Sequence, residues 1–596
     1  MSSRFAVGID LGTTNSVVSY VELTAEDSGT IELLPVPQFV APQTVESRTS
    51  LPSFYYAATE AESAARQFDL PGSAQRDYCV GIAARALSAE RPERTIVAAK
   101  SWLCHSKVDR HKALLPWNAP EGVRQISPVT ATRRYLEHLI AAWDQQHPDA
   151  PMTEQQVILT VPASFDASAR ELTREAALSA GLPDSLLLLE EPQAATYAWL
   201  AAVGERWRKS VTLGDRILVC DIGGGTTDLT LVEVAQEDGE LVLERIAVGN
   251  HLLVGGDNMD VALAFHVSEL FAEKGIELDP WQSVSLWHAC RTAKETLLAA
   301  DGPAQHTISI PGRGSRLIGG LVSIEVDRSK ASELLTTGFF PRCELSDRPA
   351  RPRASGFQEI GLPYEADTAI TRHLAAFLSQ NSADRPVTHV VFNGGVFKAD
   401  SLRQALLDQL HAWFPDHTPQ VIEGSEDLDF AVARGASFYA WTRLNGGVRI
   451  RGGTSRSYYV GIETAGLAIP GAPRPLKALC VVPRGMEEGT ETDVPSTPIG
   501  LIIGDAARFR FFSSPQRPDD VPGTVLMRWS SDELQETDSL EATLPRDEDA
   551  DDEAVPVTFR SKITELGIFE LWCVHTASGR EWKLEFSVRD DAEDPA

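Results

Sequence analysis

The sequence predicts an α/β protein of two related lobes, followed by a small all-β domain. Three observations support this fold class. A glycine-rich stretch occurs twice, a domain's length apart; strands alternate with helices up to about residue 444; and helix-period segments disappear after that point. With 596 residues the chain is too long for a single core, so several domains are expected.

The repeated stretch places an acid at a strand end, followed by glycine and two threonines. Its first copy reads Val-Gly-Ile-Asp10-Leu-Gly-Thr-Thr14, and its second reads Val-Cys-Asp221-Ile-Gly-Gly-Gly-Thr-Thr-Asp228. The spacing is far longer than a solenoid period, so the repeat indicates two related lobes. We place lobe I at about 1–205 and lobe II at about 206–444.

Strands and helices alternate between and after these copies, as in an α/β lobe. The run from Gln156 is a buried strand, and the next segment is a helix with Asp166 as its cap and Gly181 at its end. Later, a strand ends in Asn-Gly394-Gly395 and leads into an amphipathic helix. A third glycine turn therefore meets a helix N-terminus.

From about residue 445 the sequence changes to short apolar runs between turns, the pattern of a β-sandwich. We assign residues 445–456, which are rich in glycine and arginine, as a linker. Residues 457–590 form a β-rich domain that we expect to bind a substrate or partner, and residues 591–596 are a tail.

Composition excludes several functional classes. The formal charge is −30, from 54 Lys and Arg against 84 Asp and Glu, which argues against a nucleic-acid or anionic-membrane partner. We find no secretory signal and no apolar run of bilayer length, and expect a cytoplasmic protein. The seven cysteines form no C-x-x-C pair, so neither a zinc site nor a disulfide framework is expected.

The glycine turns suggest phosphate binding. Three consecutive glycines give up side-chain packing and cost conformational entropy, so the turn must need an uncovered backbone. Backbone N–H groups in such a turn can point at one anion, and a carboxylate at the strand end can hold a divalent cation through water. Two such turns facing each other across a cleft would grip the phosphates of one nucleotide.

Several spaced motifs resemble a known family. The phosphate turns, the order of strands and helices, and the stretches VILTVPASFDASARELTREAALSAGL, EEPQAATYAW, VGGDNMD and VVFNGGV are similar to the ATPase domain of the seventy-kilodalton heat-shock (DnaK-like) chaperones, within the actin and sugar-kinase superfamily. The resemblance covers Phe5 to about Arg443. It implies a two-lobed, actin-like ATPase domain that binds ATP or ADP with Mg²⁺.

The resemblance also implies roles for individual residues. Lys100 would reach the γ-phosphate, Glu191 would help position the attacking water, and Thr226 would lie near the transferred phosphate. Asp10 and Asp221 would hold hydrated Mg²⁺, and Asp228 would assist the metal or water network, where the family also places K⁺. The nucleotide-binding set is Gly12, Thr13, Thr14, Gly223, Gly224, Gly225, Thr226, Gly255, Gly256, Lys294, Gly394 and Gly395.

The adenosine side departs from the family pattern. Lys294 matches the family's ribose-contacting lysine, but Arg291, Glu295 and Leu298 fill neighbouring contact positions differently. Val396 stands where serine is usual, and Lys398 where arginine is common. We keep ATP as the expected nucleotide.

The linker and the positions that regulate the ATPase in the family depart further from the family pattern. The linker has no Asp-Leu-Leu-Leu run, so we expect differently wired interdomain coupling. Arg170 matches an interdomain arginine of the family. Leucines occupy the position of the arginine that serves J-domain proteins, which the resemblance implies as partners together with a nucleotide exchange factor.

The resemblance implies an ATP-dependent chaperone that binds unfolded polypeptide or a dedicated partner, with slow turnover. Few residues follow the last strand, so we expect the β domain to lack a helical lid and to release clients quickly. Three alternatives remain open: a small-molecule kinase of the same superfamily, a non-catalytic nucleotide-binding scaffold, and an actin-like polymer.

Overall fold

The computed structural model describes residues 3–24, 30–70, 76–105, 108–237, 239–311, 321–350, 362, 364–382, 384–424, 427–446, 450–451, 453–454, 456–463, 475–487, 489–502, 506–530, 533–537, 539–543, 554–564 and 569–586. The tail at 591–596 lies outside the described residues, as does part of the linker. The two lobes and the β domain match the fold class that the sequence predicts.

The helices all precede residue 446 in the described part of the chain. They are α1 (Glu60–Ala64), α2 (Ile82–Glu90), α3 (Ala99–Leu103), α4 (Pro128–Gln146), α5 (Ala167–Ala180), α6 (Glu191–Val203), α7 (Trp207–Ser210), α8 (Gly256–Glu273), α9 (Pro280–Leu298), α10 (Arg328–Phe339), α11 (Ile370–Asn381), α12 (Asp400–Trp413) and α13 (Ala431–Asn445).

The strands of the two lobes fall into two series. Lobe I holds β1 (Phe5–Leu11), β2 (Asn15–Glu22), β3 (Glu32–Leu33), β4 (Val36–Ala41), β5 (Thr44–Arg48), β6 (Leu51–Pro52), β7 (Tyr55–Ala57), β8 (Tyr78–Val80), β9 (Thr95–Ile96), β10 (Gln156–Val161) and β11 (Leu187–Glu190). Lobe II and the linker hold β12 (Arg216–Ile222), β13 (Thr227–Glu237), β14 (Glu240–Val248), β15 (Gln305–Pro311), β16 (Leu321–Asp327), β17 (His389–Asn393), β18 (Gln420–Val421) and β19 (Ile450–Arg451).

The β domain holds the remaining strands. They are β20 (Ser457–Glu463), β21 (Leu476–Val482), β22 (Thr490–Ile502), β23 (Ala506–Phe509), β24 (Phe511–Ser514), β25 (Val525–Leu526), β26 (Gln535–Glu536), β27 (Leu540–Thr543), β28 (Ala554–Ile563), β29 (Phe569–His575) and β30 (Glu581–Phe586). They form two sheets, ordered β25-β21-β20-β24-β26 and β22-β28-β29-β30-β27-β23, with an apolar core that Val460, Val481 and Phe559 fill.

The two lobes share one sheet topology, as the internal repeat predicts. In lobe I the order is β11-β10-β1-β2-β3; β1 pairs antiparallel with β2 and parallel with β10. In lobe II the order is β18-β17-β12-β13-β14-β19; β12 pairs antiparallel with β13 and parallel with β17. Asp10 and Asp221 therefore lie at the same point of equivalent strands.

Local signals set the predicted helix ends. Asp166 caps α5 by accepting a hydrogen bond from the Ala169 N–H at 2.8 Å, which satisfies one of the unpaired donors of the first turn. Gly181 ends the helix in the left-handed region, with φ of 104°, where glycine carries no Cβ penalty. These are the two residues that the sequence assigns to these positions.

Helices α6 and α13 cross between the two sheets. They share an apolar cluster with both lobes, including Ala6, Ala194, Val219 and Ala436. A Cβ on Gly435 would overlap the Ala194 carbonyl, so the two helix backbones touch. By sequence α13 falls in lobe II, but the structure also packs it on β1 and β2 of lobe I.

The described part of the chain contains no helix that combines the length and the apolar character needed to cross a lipid bilayer. The cytoplasmic location stays a prediction.

Candidate nucleotide site

A cavity of about 570 Å³ lies between the two lobes, at the ends of β1 and β12. Most of the predicted residues line it: Asp10, Gly12, Thr13, Thr14, Lys100, Glu191, Asp221, Gly223, Gly224, Thr226, Gly256, Lys294, Gly394 and Gly395. Gly225, Gly255 and Asp228 do not line it. The structure therefore brings residues from widely separated parts of the chain to one place.

The two phosphate turns face each other. Residues 12–14 connect β1 to β2, and residues 223–226 connect β12 to β13. A Cβ on Gly224 would overlap Thr14 Oγ1, so only glycine allows the turns to come this close. The Gly223 N–H donates to the Thr226 carbonyl at 2.9 Å, which closes the second turn.

Two carboxylates enter the cavity from opposite lobes, each held by a neighbouring strand. Thr160 Oγ1 donates to Asp10 Oδ1 at 3.1 Å, and Asn393 Nδ2 donates to Asp221 Oδ2 at 2.7 Å. Burial, and then the charge of Glu191, raise the pKa of both carboxyls. A cation placed between them would relieve this repulsion.

Lys100 supplies a cation inside the cavity. Its Nζ forms an ion pair with Glu191 Oε1, and both side chains are largely buried. Burial alone lowers the pKa of Lys100, but the charges of Glu191 and Asp10 outweigh it and raise the pKa. Lys100 is therefore charged, and α3 and α6 fix its position.

Asp228 lies behind the cavity in a polar cluster. Ser164 Oγ donates to its Oδ1 and lies 2.8 Å from His251 Nδ1, which itself lies 3.4 Å from Asp228 Oδ1. Burial disfavours the charged imidazole, but Cys104 and Asp228 raise the pKa of His251 to about 10. An acid buried beside a cation stays ionised, and the pKa of Asp228 is lowered.

Two further glycine pairs pack against the second phosphate turn. The Gly256 N–H donates to the Gly223 carbonyl at 3.0 Å, and a Cβ on Gly255 would come within 2.8 Å of that carbonyl. Gly394 has φ of 86°, and a Cβ there would meet Asp221 Oδ1 at 2.8 Å. These pairs give the turn its close backbone packing.

Lys294 reaches the cavity from α9. Its Nζ pairs with Asp260 Oδ1 at 2.6 Å and donates to the Gly256 carbonyl at 2.8 Å. Arg291, one turn earlier, pairs with Asp257 and with Asp260 Oδ2, the latter at 3.0 Å. Two cations of α9 are thus anchored on two acids of α8.

Sequence reasoning missed several lining residues, among them Arg85, Leu402, Leu428, Asp429 and Phe430. They belong to no glycine motif and come from separate elements, so spacing gave no signal for them. Asn393 could have been found from the sequence, because it directly precedes the paired glycines at a strand end.

The donor set fits a nucleotide with a hydrated cation. The described residues contain no cluster of three or more His, Cys, Asp or Glu side chains that could hold a metal directly. Asp10 and Asp221 instead offer two carboxylates from opposite lobes, which suits Mg²⁺ that keeps several waters. The glycine turns leave backbone open to phosphates, and Lys100 adds a positive charge.

Two lobes of equivalent topology, with paired Gly-Thr turns and paired acids at the cleft between them, define the actin-like ATPase fold. Residues 73–346 match the family model described as Hsp70 protein. This part of the chain is thus similar to the Hsp70 family, as its motifs predict.

Curated relatives agree with this assignment. The chain is 32% identical to the chaperone protein HscA homolog of Pseudomonas aeruginosa strain LESB58 over 311 residues. This alignment covers 49% of this chain and 42% of that protein. The homolog of Methylibium petroleiphilum is 32% identical over 308 residues, covering 50% and 42%. The match thus spans less than half the length of these relatives.

Proposed function

We propose that the chain is an ATP-dependent chaperone that hydrolyses Mg-ATP between its lobes and uses the nucleotide state to control polypeptide binding by its β domain. The observation that carries the ATPase part is the pairing of Lys100 with Glu191 in the cavity that Asp10 and Asp221 also line. In this proposal the Lys100 cation, the water-positioning carboxylate of Glu191 and the two acids that would hold Mg²⁺ all face one phosphate site.

The proposed chemistry is phosphoryl transfer to water, in which positioning and charge neutralisation supply most of the catalysis. Mg²⁺, when bound, neutralises charge on the β- and γ-phosphates. Lys100 adds its charge at the γ-phosphate, and the Thr13–Thr14 and Gly223–Thr226 turns orient the phosphates. Glu191 accepts a hydrogen bond from the attacking water and aligns it.

The docked linker supports control by nucleotide state. The Ile450 N–H donates to Tyr197 Oη at 3.0 Å, and β19 pairs in parallel with β14 of lobe II. Arg245 of β14 donates to the Gly453 carbonyl and pairs with Glu190, the residue next to Glu191. A short path of contacts therefore runs from the linker to the catalytic pair.

The β domain also contacts both lobes directly. Arg484 donates to the Ile246 carbonyl of lobe II, and Ala167 of lobe I packs into the β-domain core. Movement of the lobes would therefore strain this contact, which is how nucleotide could reach the β domain. The proposal of client binding rests on the relatives, which are named chaperones. Binding of K⁺, of a J-domain protein and of a nucleotide exchange factor stays a prediction, and so does the absence of a helical lid.

The test is ADP release from Mg-ATP by the purified chain without any acceptor, in the presence and absence of an unfolded polypeptide. We expect slow turnover that rises severalfold with the polypeptide. If the turnover rate does not change when the polypeptide is added, the chaperone part of the proposal is refuted. No turnover would favour the superfamily's kinases, which need an acceptor, or a scaffold. Thr226→Ala is the matched control against a contaminating ATPase.

A further inference from the structure

Two of the seven cysteines, Cys104 and Cys343, are partly exposed, and the other five are buried. Burial raises the pKa of the five buried thiols, which makes them poor nucleophiles at neutral pH. Burial, and with it the nearby acids Asp347 and Glu344, also raises the pKa of Cys343. Cys104 is therefore the cysteine whose surroundings decide whether the chain has a reactive thiol.

Cys104 follows α3 in lobe I and meets a histidine of lobe II. Its Sγ donates to the Ser101 carbonyl at 3.1 Å, which fixes the sulfur on the last turn of the helix. The imidazole of His251 lies within hydrogen-bonding reach of this thiol. The same ring packs edge-on against Phe165 of lobe I, with the two ring centroids 5.6 Å apart. The contact between thiol and imidazole therefore crosses the boundary between the lobes.

The imidazole of His251 is charged and has a proton to give. Its Nδ1 lies 2.8 Å from Ser164 Oγ and 3.4 Å from Asp228 Oδ1, and Glu365 is a second acid near the ring. Its buried Nε2 has no hydrogen bond to an oxygen or nitrogen atom of the described residues. Although burial disfavours the charged ring, Cys104 and Asp228 raise the pKa of His251 to about 10. The ring is thus an imidazolium at neutral pH.

A second cation lies next to the same segment. Arg110 is almost fully buried, and its guanidinium donates to the Leu103 carbonyl at 3.2 Å and to Ser168 Oγ at 3.3 Å. Reactive cysteines lie in partly exposed sites close to positive side chains, because the thiolate is the nucleophile. Cys104 meets both conditions, since it is partly exposed and lies beside an imidazolium.

We propose that Cys104 is a modification site for hydroperoxides, and that its oxidation stops ATP hydrolysis by forcing the lobes apart. The second part rests on the proposed function, whereas the first does not. The Cys104 sulfur attacks the terminal oxygen of the hydroperoxide, so that an S–O bond forms and the O–O bond breaks. Sulfur is oxidised by two electrons to a sulfenic acid, and the peroxide is reduced to an alcohol or water, whose oxygen takes a proton from His251. Two equivalents of a small thiol restore Cys104 and yield a disulfide and water.

The position of Cys104 links this chemistry to hydrolysis. The added oxygen enters a contact between the lobes, and packed interiors absorb extra atoms only by shifting their neighbours. Cys104 also lies four residues after Lys100, at the end of the same short helix. A displacement of about 1 Å at a reacting centre can cost about 100-fold in rate, and we expect a loss of at least about tenfold.

The first measurement is the rate at which each cysteine of the folded full chain reacts at neutral pH with iodoacetamide and with hydrogen peroxide, followed by mass spectrometry. Cys104 should react at least about tenfold faster than Cys343, the matched control that is also partly exposed. Equal rates, or a faster Cys343, would overturn the proposal. His251→Gln should slow the reaction of Cys104 about tenfold. If that variant does not fold, the comparison of the two cysteines in the parent chain still decides.

The second measurement is ATP turnover before and after peroxide treatment. Cys104→Ser should keep turnover within about twofold of the parent rate and should resist peroxide. The parent chain and Cys343→Ser should both lose at least about tenfold, and a small thiol reductant should restore them. Loss of turnover in peroxide-treated Cys104→Ser would assign the effect to another residue and contradict the proposal.

The outcomes separate this inference from the proposed function. Selective oxidation of Cys104 in a chain that hydrolyses no ATP would sustain the modification site and refute the ATPase together with its control. Unchanged hydrolysis after complete oxidation of Cys104 would sustain the ATPase and refute the control. Hydrolysis in a chain whose Cys104 reacts no faster than Cys343 would sustain the ATPase and refute the modification site.

Discussion

Lys100 on α3 and Glu191 at the first position of α6 form an ion pair inside the cavity between the lobes. The pair joins an outer segment of lobe I to the helix that runs between the two sheets. Because both side chains are largely buried, removing either one leaves the other charged and without its partner. If the pair also serves the proposed hydrolysis, changing either residue should affect both stability and turnover.

Thr226→Ala and Lys100→Ala should retain ATP binding and lose hydrolysis by about 10²–10³-fold, the usual cost of removing a group that stabilises charge in the transition state. Lys100→Ala should also lower the free energy of unfolding by about 3–5 kcal/mol, since Glu191 loses its buried partner. Calorimetry measures ATP binding and the stability of each variant, and single-turnover assays measure hydrolysis. Lys112→Ala, an exposed lysine of lobe I, is the control. Normal hydrolysis in both variants would show that the site is misassigned.

Arg245→Ala should uncouple the domains. Arg245 is the residue that bonds both the linker carbonyl of Gly453 and the carboxylate of Glu190. Without it, stimulation of ATP turnover by unfolded polypeptide should fall to within about 1.5-fold of the basal rate, by loss of a coupling of the usual 1–3 kcal/mol. The surface variant Arg403→Ala is the control. Full stimulation in Arg245→Ala would exclude this path.

The sequence predicted the parts of the fold that repeat or carry end signals. The acid-glycine-threonine repeat indicated two equivalent sheets, and Asp166 and Gly181 marked the ends of α5. The outer sheet β4–β5 and the hairpin β15–β16 were not predicted. Strand β5 is exposed along its whole length, so it has no apolar alternation that a sequence pattern could reveal.

The linker shows the limit of motif reasoning. The absence of an Asp-Leu-Leu-Leu run predicts differently wired interdomain coupling, which stays a prediction. It gave no sign that Ile450 would be buried or that β19 would join the lobe II sheet. Pairing of this kind uses backbone groups, which every residue except proline supplies, so it leaves little trace in sequence. Arg85 and Phe430 of the cavity were missed because only tertiary packing brings them there.

Stability should fall at acid pH through His138. Arg76 Nη1 lies 2.9 Å from its Nδ1, and its Nε2 lies 2.9 Å from the Pro37 carbonyl. Burial, and then the charge of Arg76, lower the pKa of His138 to about 3. In the unfolded chain the histidine has a pKa of about 6.5 and is protonated below that pH, whereas in the folded chain it stays neutral down to about pH 3. The free energy of unfolding therefore falls as the pH is lowered from 6.5 to 3.

The expected loss from His138 is about 2–3 kcal/mol between pH 7 and 4.5. Urea unfolding of the parent chain and of His138→Gln at both pH values measures it. The variant should show a correspondingly smaller loss, whereas His411→Gln, an exposed histidine, controls for removing one imidazole. Equal losses in the parent and His138→Gln would rule out this residue as the cause.

Gly435→Ala should destabilise the protein by about 1–3 kcal/mol, because its methyl group would overlap the Ala194 carbonyl. Gly338→Ala is the matched control: it is an exposed glycine in α10, where a Cβ meets nothing within 4 Å, and it should stabilise by about 0.4–1 kcal/mol. Thermal or urea unfolding distinguishes them. A stabilised Gly435→Ala would mean that the two helices do not touch.

The contact of α6 with α13 also sets the mechanics of the molecule. Backbones that touch at one crossing can turn about it, but they cannot separate without opening the core that both sheets share. A rotation of one lobe on the other would therefore leave the shared core intact only if it were centred on this crossing. Such a rotation would move the turn at residues 12–14 relative to the turn at 223–226, and a nucleotide bound to both turns would oppose it.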